Sequence, residues 1–404
     1  MLTPYTISGN VTVMPSTSAV NYCSITPAPG AVAWGTSNVT ARFYITEACE
    51  IANLTINSVS DPGVGKSYAI ELEVNSGAKT GLTATISNGV LTANSGSNHT
   101  RLEPGDYICI KSTPTGTPGT MTRLAWSFSV DSLGSPRIML PVAAVNPAIS
   151  AVRYVGVFSG QYVPTATVNN ANVGKSAIRM KVNGLRLDLR DAPGAGKSWT
   201  LTLYVNGAAT AATVTITGAG TVTGSISGLN VQIAEGDEVY YRYDPTGSPT
   251  LTYHMITLTC TPENEGEYPI SVSTSSVINS ATGWTRAIST FTSETTTADT
   301  NPKCTLPNGQ RVHFRKHRCY VDVNPGGVGK QWETRLRVNG VNQNSSVAIT
   351  NGNTSGVDSS NIDSVFGGTN LISLQITPTS TPAAITNHYY CMASYTPRTA
   401  PCMV

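Results

Sequence analysis

The chain has 404 residues with a net charge of +2, and only 12% of them are charged. That is about half the usual share, so the strongly basic face of a nucleic-acid binder is not expected. No window approaches the 18 apolar residues of a membrane-spanning helix, and the length suits about three domains.

The chain begins "MLTPYTISGNVTVMPSTS". It lacks a basic leader and an apolar core of seven residues, so no signal peptide is expected. If the protein works outside a cell, release by lysis or by a dedicated route is expected. Thr, Val, Gly and Pro are scattered throughout, and almost no segment has helical periodicity. β-Branched residues favour pleated, half-buried surfaces, so the composition reads as all-β.

Taken in chain order, a block of turns and alternating strands recurs. The first copy runs "NVTARFYIT" (38–46), "DPGVGKSYAIELEVNSG" (61–77), "EPGDYICIKSTPTGTP" (103–118) and "LAWSFSV" (124–130). The second runs "SAIRMKVNGLRLDL" (176–189), "DAPGAGKSWTLTLYVNG" (191–207), "AEGDEVYYRYDPTGSP" (234–249) and "MITLTCT" (255–261). The third runs "QRVHFRKHRCYVDV" (310–323), "NPGGVGKQWETRLRVNG" (324–340), "GGTNLISLQITPTSTP" (367–382) and "YYCMASY" (389–395). Gly65-Lys66, Gly196-Lys197 and Gly329-Lys330 are spaced by 131 and 133 residues, as are Asp106, Asp237 and Asn370. Units this long are tandem domains rather than solenoid repeats, with boundaries expected at 1–132, 133–263 and 264–404. About eight strands per unit, punctuated by Gly/Pro turns, predict a jelly-roll β-sandwich in each.

"GAGKS" (194–198) resembles a phosphate-binding loop, but the context is wrong. The first glycine of that motif is replaced by Ser60, Asp191 and Asn324 in the three copies. The residues after each lysine alternate as a strand, where the motif requires a helix N-terminus. No nucleotide site and no cofactor are expected. The recurring Gly65, Lys66, Asp106, Gly196, Lys197, Asp237, Gly329 and Lys330 read as structural turn residues.

The Gly-Asp turn, closing strand and Thr-Pro loop resemble the end of the tumour-necrosis-factor-like jelly roll. The whole block is similar to repeats of structural proteins of tailed bacteriophages. The third copy departs from it with Thr369-Asn370 in place of Gly-Asp. The resemblance implies a non-enzymatic virion protein, such as a capsid decoration, a head fibre or a tail-associated component. It would act by multivalent contacts with other virion proteins and with copies of itself, trimers above all. The weakly charged leaders "SAVRYVGVFSGQYV" (150–163) and "SVSTSSVINSATGW" (271–284) are where contacts between neighbours are expected.

A catalytic or metal centre does not emerge. His313 and His317 in a strand would share a face about 13 Å apart, too far for one metal ion. "RVHFRKHRC" (311–319) reads as a strand with a cationic solvent face. Acids sit mostly in turns, and no G-x-S-x-G elbow occurs. Of the eight cysteines, Cys260 and Cys391 read as core residues and reduced thiols are expected, with Cys304 and Cys319 the best candidates for a bridge. The alternative function is an adhesin that binds a cell-surface glycan. Its candidate aromatics are Tyr204, Tyr240, Tyr241 and Tyr243 in the middle copy, with Trp34 and Trp284 in the leaders; Tyr241 and Tyr243 alternate onto the face opposite Tyr240, so one of the two faces is expected in a core and the other outside.

Overall fold

The structure is a computed structural model. It describes residues 4–11, 15–26, 34–77, 81–121, 123–144, 147–158, 165–168, 173–274, 282–286, 304–307, 311–358, 362–366, 370–385 and 388–395. The chain is all-β. Among the described residues its helical content is the single 3-10 turn Asn38–Thr40.

The strands make six antiparallel sheets. In the middle of the chain, eight principal strands follow one another: Ile138–Ala144, Arg153–Gly156, Met180–Leu189, Gly194–Val205, Ala208–Gly218, Thr223–Ile233, Glu238–Thr246 and His254–Pro262. The first, eighth, third and sixth pair in that order as one sheet. The second, seventh, fourth and fifth make another. The same two orders are drawn from residues 5–132 and again from 267–395.

Alternation explains the strands. Trp199, Leu201 and Leu203 face inward with no exposure, and Tyr241 and Tyr243 meet them from the neighbouring strand. The aromatic two residues after each lysine anchors a core: Tyr68, Trp199 and Trp332 are all fully buried. Trp126 lies so close beneath Gly9 that any Cβ there would strike its ring and the Ile25 carbonyl, so this strand position admits glycine alone.

Sheets from the three stretches also pack against one another, in a cycle. The Tyr44 ring, on the short strand Phe43–Tyr44, lies 4.4 Å from the Arg186 guanidinium of the middle stretch. At the matching position on Gly174–Lys175, the Lys175 amine lies 5.1 Å from the Tyr320 ring of the last stretch. The third such strand, Cys304–Thr305, lies against Leu124–Ser132 and Cys49–Ser58 of the first. One contact made first to middle, middle to last and last to first closes a ring. The first strands of the three stretches meet as well: the Tyr5 and Tyr268 rings stack at 5.0 Å, the Tyr5 hydroxyl accepts from Met139 N–H at 3.1 Å, and Ser271 Oγ donates to the Phe158 carbonyl. These last two residues belong to the two leaders, which therefore touch each other within one chain.

Two expectations are corrected. His313 and His317 do not share a face. A bulge between Arg315 and Arg318, with Lys316 at φ 57°, shifts the phase of the strand. His317 is buried while His313 stays half exposed beside the Tyr395 ring. The basic run does not present a cationic face to solvent either. Lys316 and Arg318 both grip Glu235 of the middle stretch, Lys316 at 2.7 Å, and Arg315 lies over Tyr395.

Candidate functional site

The recurring Gly-Lys turns lead into Ser67–Val74, into the body of Gly194–Val205 and into Gln331–Val338, all strands. No helix N-terminus follows any of them. Gly65, Gly196 and Gly329 have φ of 69°, 70° and 80° with open space where a Cβ would stand. They are glycines because of the left-handed conformation, not because a ligand approaches. Each lysine lays its stem over the glycine three residues before it, Gly63, Gly194 or Gly327. Gly116 and Gly247 pack on the stems of Lys66 and Lys197 from the Thr-Pro loop. That loop is tied back by Gly119 N–H to Pro62 O, Thr250 N–H to Pro193 O and Ala383 N–H to Pro325 O, at 2.8–2.9 Å.

The recurring acids serve a second device, at the other end of the same strands. Asn75, Asn206 and Asn339 sit at φ 51°, 49° and 50° in the Val-Asn turns. Asn75 Nδ2 donates to Asp106 Oδ1 at 2.6 Å, Asn206 Nδ2 to Asp237 Oδ1 at 2.7 Å, and Asn339 Nδ2 to Asn370 Oδ1 at 2.8 Å. The amide oxygen of each asparagine accepts from the next backbone N–H, of Tyr107, Glu238 or Leu371. The second oxygens of Asp106 and Asp237 accept from Glu103 and Ala234 N–H. The sequence reads these asparagines only as turn residues; their bonds to Asp106, Asp237 and Asn370 escaped it. The signal that would have found them is a constant separation of 31 residues from their partners. Asn370 keeps the bond that Asp makes elsewhere; Thr369 lies outside the described residues.

The most varied surface chemistry lies on the outer face of the sheet carrying Glu238–Thr246. Tyr241 and Tyr243 are in the core, while Tyr240 lies on the opposite face but is itself only 5% exposed, covered by Tyr204, stacked at 5.4 Å, and Tyr154, edge-on at 5.8 Å. Arg242 donates to the Tyr204 hydroxyl at 3.0 Å and to Asp244 at 2.9 Å. Its charge is held more firmly than usual, chiefly by the Tyr204 hydrogen bond. Thr202 and Thr213, then Thr200 and Thr215, pair across the next two strands. Phenols, a fixed guanidinium–carboxylate pair and hydroxyls thus share one face. Trp34 is largely buried beside Trp126, and the Trp284 side chain lies outside the described ones.

The remaining titratable groups are structural. His254 is fully buried between Trp199 and Tyr243, at 4.7 and 4.9 Å, with no hydrogen-bond partner for either nitrogen among the described residues. Burial pushes it down to about 3. His317, bonded to Ser345 Oγ at 2.8 Å, is pushed down to about 4 by the same cause. Cys23, Cys49, Cys109, Cys260 and Cys391 are buried reduced thiols. Burial raises all five, which keeps them protonated and unreactive. Cys319 is buried; the Cys304 side chain and Cys402 lie outside the described residues. Among the described residues no three His, Cys, Asp or Glu side chains converge as a metal site. No helix there is long and apolar enough to cross a membrane.

No family model matches the chain, and no curated protein does. Among solved structures, PNGF-II in space group P21 aligns with 87% of this chain and 99% of its own, at 7% identity and a TM-score of 0.17. A likeness of that size carries no argument about fold or activity.

Proposed function

We propose that the chain is a non-enzymatic structural protein of a virion of the tailed-bacteriophage type, a capsid decoration, head fibre or tail-associated component. It would consist of three jelly-roll sandwiches, 1–132, 133–263 and 264–404. The observation that carries this reading is the pair of strand orders, first-eighth-third-sixth and second-seventh-fourth-fifth, met three times in one chain. That is the order of a jelly roll folded from two Greek keys. The cycle of contacts supports it further. Jelly rolls commonly assemble in threes, and here three units of one chain lie in a ring. Contacts with other copies and with other virion proteins fall to its outer surfaces, where weak sites repeated over a particle give avidity. The recurring Gly-Lys and Asp residues support a structural role, because turn hydrogen bonds and stem packing use them fully.

The face of Tyr154, Tyr204, Arg242 and Asp244 favours a second reading, an adhesin or receptor-recognition protein that binds a glycan. Aromatic rings supply surface for sugar C–H groups, and the Arg–Asp pair supplies donors and acceptors for hydroxyls. Peptide mass spectrometry of purified particles tests the first reading: stoichiometric, salt-resistant association with the particle is expected. A chain found only in the soluble fraction, with saturable glycan binding lost in Tyr204→Ala, would replace it with the second.

A further inference from the structure

Residues 207–234 contain no Asp, Glu, Lys, Arg or Pro. They form Ala208–Gly218 and Thr223–Ile233, eleven residues each. Each is the last strand of its sheet in the middle unit, so among the described residues each leaves one margin unpaired. Proteins ordinarily guard such margins with short strands, charges or proline, because an open row of N–H and C=O groups invites another strand.

The other two units carry such guards. In the first, the matching strands Thr83–Ser87 and Thr92–Asn94 are only five and three residues long. In the third, Val341–Thr350 has ten residues, but Asp358 reaches over its margin and accepts from the Ser346 N–H at 2.8 Å. Its companion Ser355–Val357 has three. In the middle unit Thr210 Oγ1 accepts from Ala212 N–H at 3.2 Å. Beyond it, residues 213–218 are Thr, Val, Thr, Ile, Thr and Gly, with Thr215 and Thr217 exposed.

We propose that this margin joins two copies of the chain, with Ala208–Gly218 pairing antiparallel to its own counterpart about a twofold axis. Such an axis sets a strand against its own reverse, so any charge would meet its like. This strand has none, and its outward threonines would meet threonines, a favourable cross-strand pair. An eleven-residue margin is about 37 Å long, and two sheets lie about 10 Å apart. The slab so covered is roughly 740 Å² over both partners, the size of a weak interface, to which the backbone hydrogen bonds of the paired margins add. Pairing of Ala208–Gly218 with its own counterpart uses the same margin of both partners and so closes at a dimer. The dimer is independent of whether the chain belongs to a virion.

Sedimentation velocity on the full chain tests this with two triple variants, one carrying Thr213→Lys, Thr215→Lys and Thr217→Lys and the other Glu at the same three positions. The wild type should sediment as a dimer at micromolar concentration. Each triple variant should be a monomer with an unchanged circular-dichroism spectrum, and an equimolar mixture should dimerise again. A wild type that stays monomeric to about 100 µM would overturn the proposal and leave the margin to an extended segment of another protein. A wild-type oligomer untouched by both triple variants would overturn it too, as would folded variants whose mixture stays monomeric.

Discussion

Asn206 and Asn339 occupy the same turn position but face different partners, and that difference is measurable. Asn206→Asp sets a carboxylate against Asp237 Oδ1, now 2.7 Å from the amide nitrogen. Asp237 cannot donate in return, so a hydrogen bond becomes a repulsion. The expected loss is about 1–2 kcal/mol, the scale of one bond removed with its partner left facing it. Asn339→Asp faces Asn370, whose amide can rotate to donate, and the Leu371 N–H remains a donor to the same side chain. Urea unfolding should find that variant within about 0.5 kcal/mol of wild type. Equal losses in both variants would show that the left-handed backbone, not the side-chain clamp, sets the preference for asparagine. His254 makes a second prediction. Its folded value of about 3 lies below the ordinary 6.5, so the unfolded chain binds the proton first. Stability is complete above pH 6.5 and falls as pH drops from there toward 3. At pH 5 the loss is about 2 kcal/mol from this residue, and His317, held near 4, adds a similar amount. His254→Phe keeps a ring between Trp199 and Tyr243. The difference in melting temperature between pH 7.5 and pH 5 should shrink by about half the histidine share. An unchanged difference would mean that His254 is not buried neutral.

At the scale of the elements, the strands were legible because alternation is written in adjacent residues: Trp199, Leu201 and Leu203 point one way, Ser198, Thr200 and Thr202 the other. The turns were legible because Gly and Asn, which tolerate a positive φ best, stand at many of them, as at Gly65, Asn75, Gly196 and Asn206. The same reasoning set "GAGKS" aside as a phosphate loop, since a strand follows it. Lys197→Ala should accordingly cost about 0.5 kcal/mol, from stem packing over Gly194 and Gly247. Calorimetry with ATP and magnesium should give no saturable heat for the wild type or the variant; saturable heat that Lys197→Ala abolishes would contradict the turn assignment. The bulge at Lys316 was not legible. No Gly or Pro marks it, and the strand reads as unbroken alternation until the extra residue moves His317 into the core. The Asn–Asp clamp was legible only as a recurring interval, because its two halves lie on different turns.

At the scale of the molecule, sequence repetition gave three units and no relation between them. Glu235 and the Lys316–Arg318 pair lie some eighty residues apart, and nothing local in either segment points to the other. The leaders, expected to meet neighbouring copies, meet one another at Ser271 and Phe158. The ring follows from one contact with its chemistry exchanged between sites, a tyrosine beneath an arginine at one junction and a lysine above a tyrosine at the next. Cryo-electron microscopy of native particles tests the proposed structural role most directly. It should find three-lobed density of one chain, in the same orientation at every copy, fixed to a shell, fibre or tail. Particles complete and infectious without such density, with the chain recovered free in solution, would contradict it.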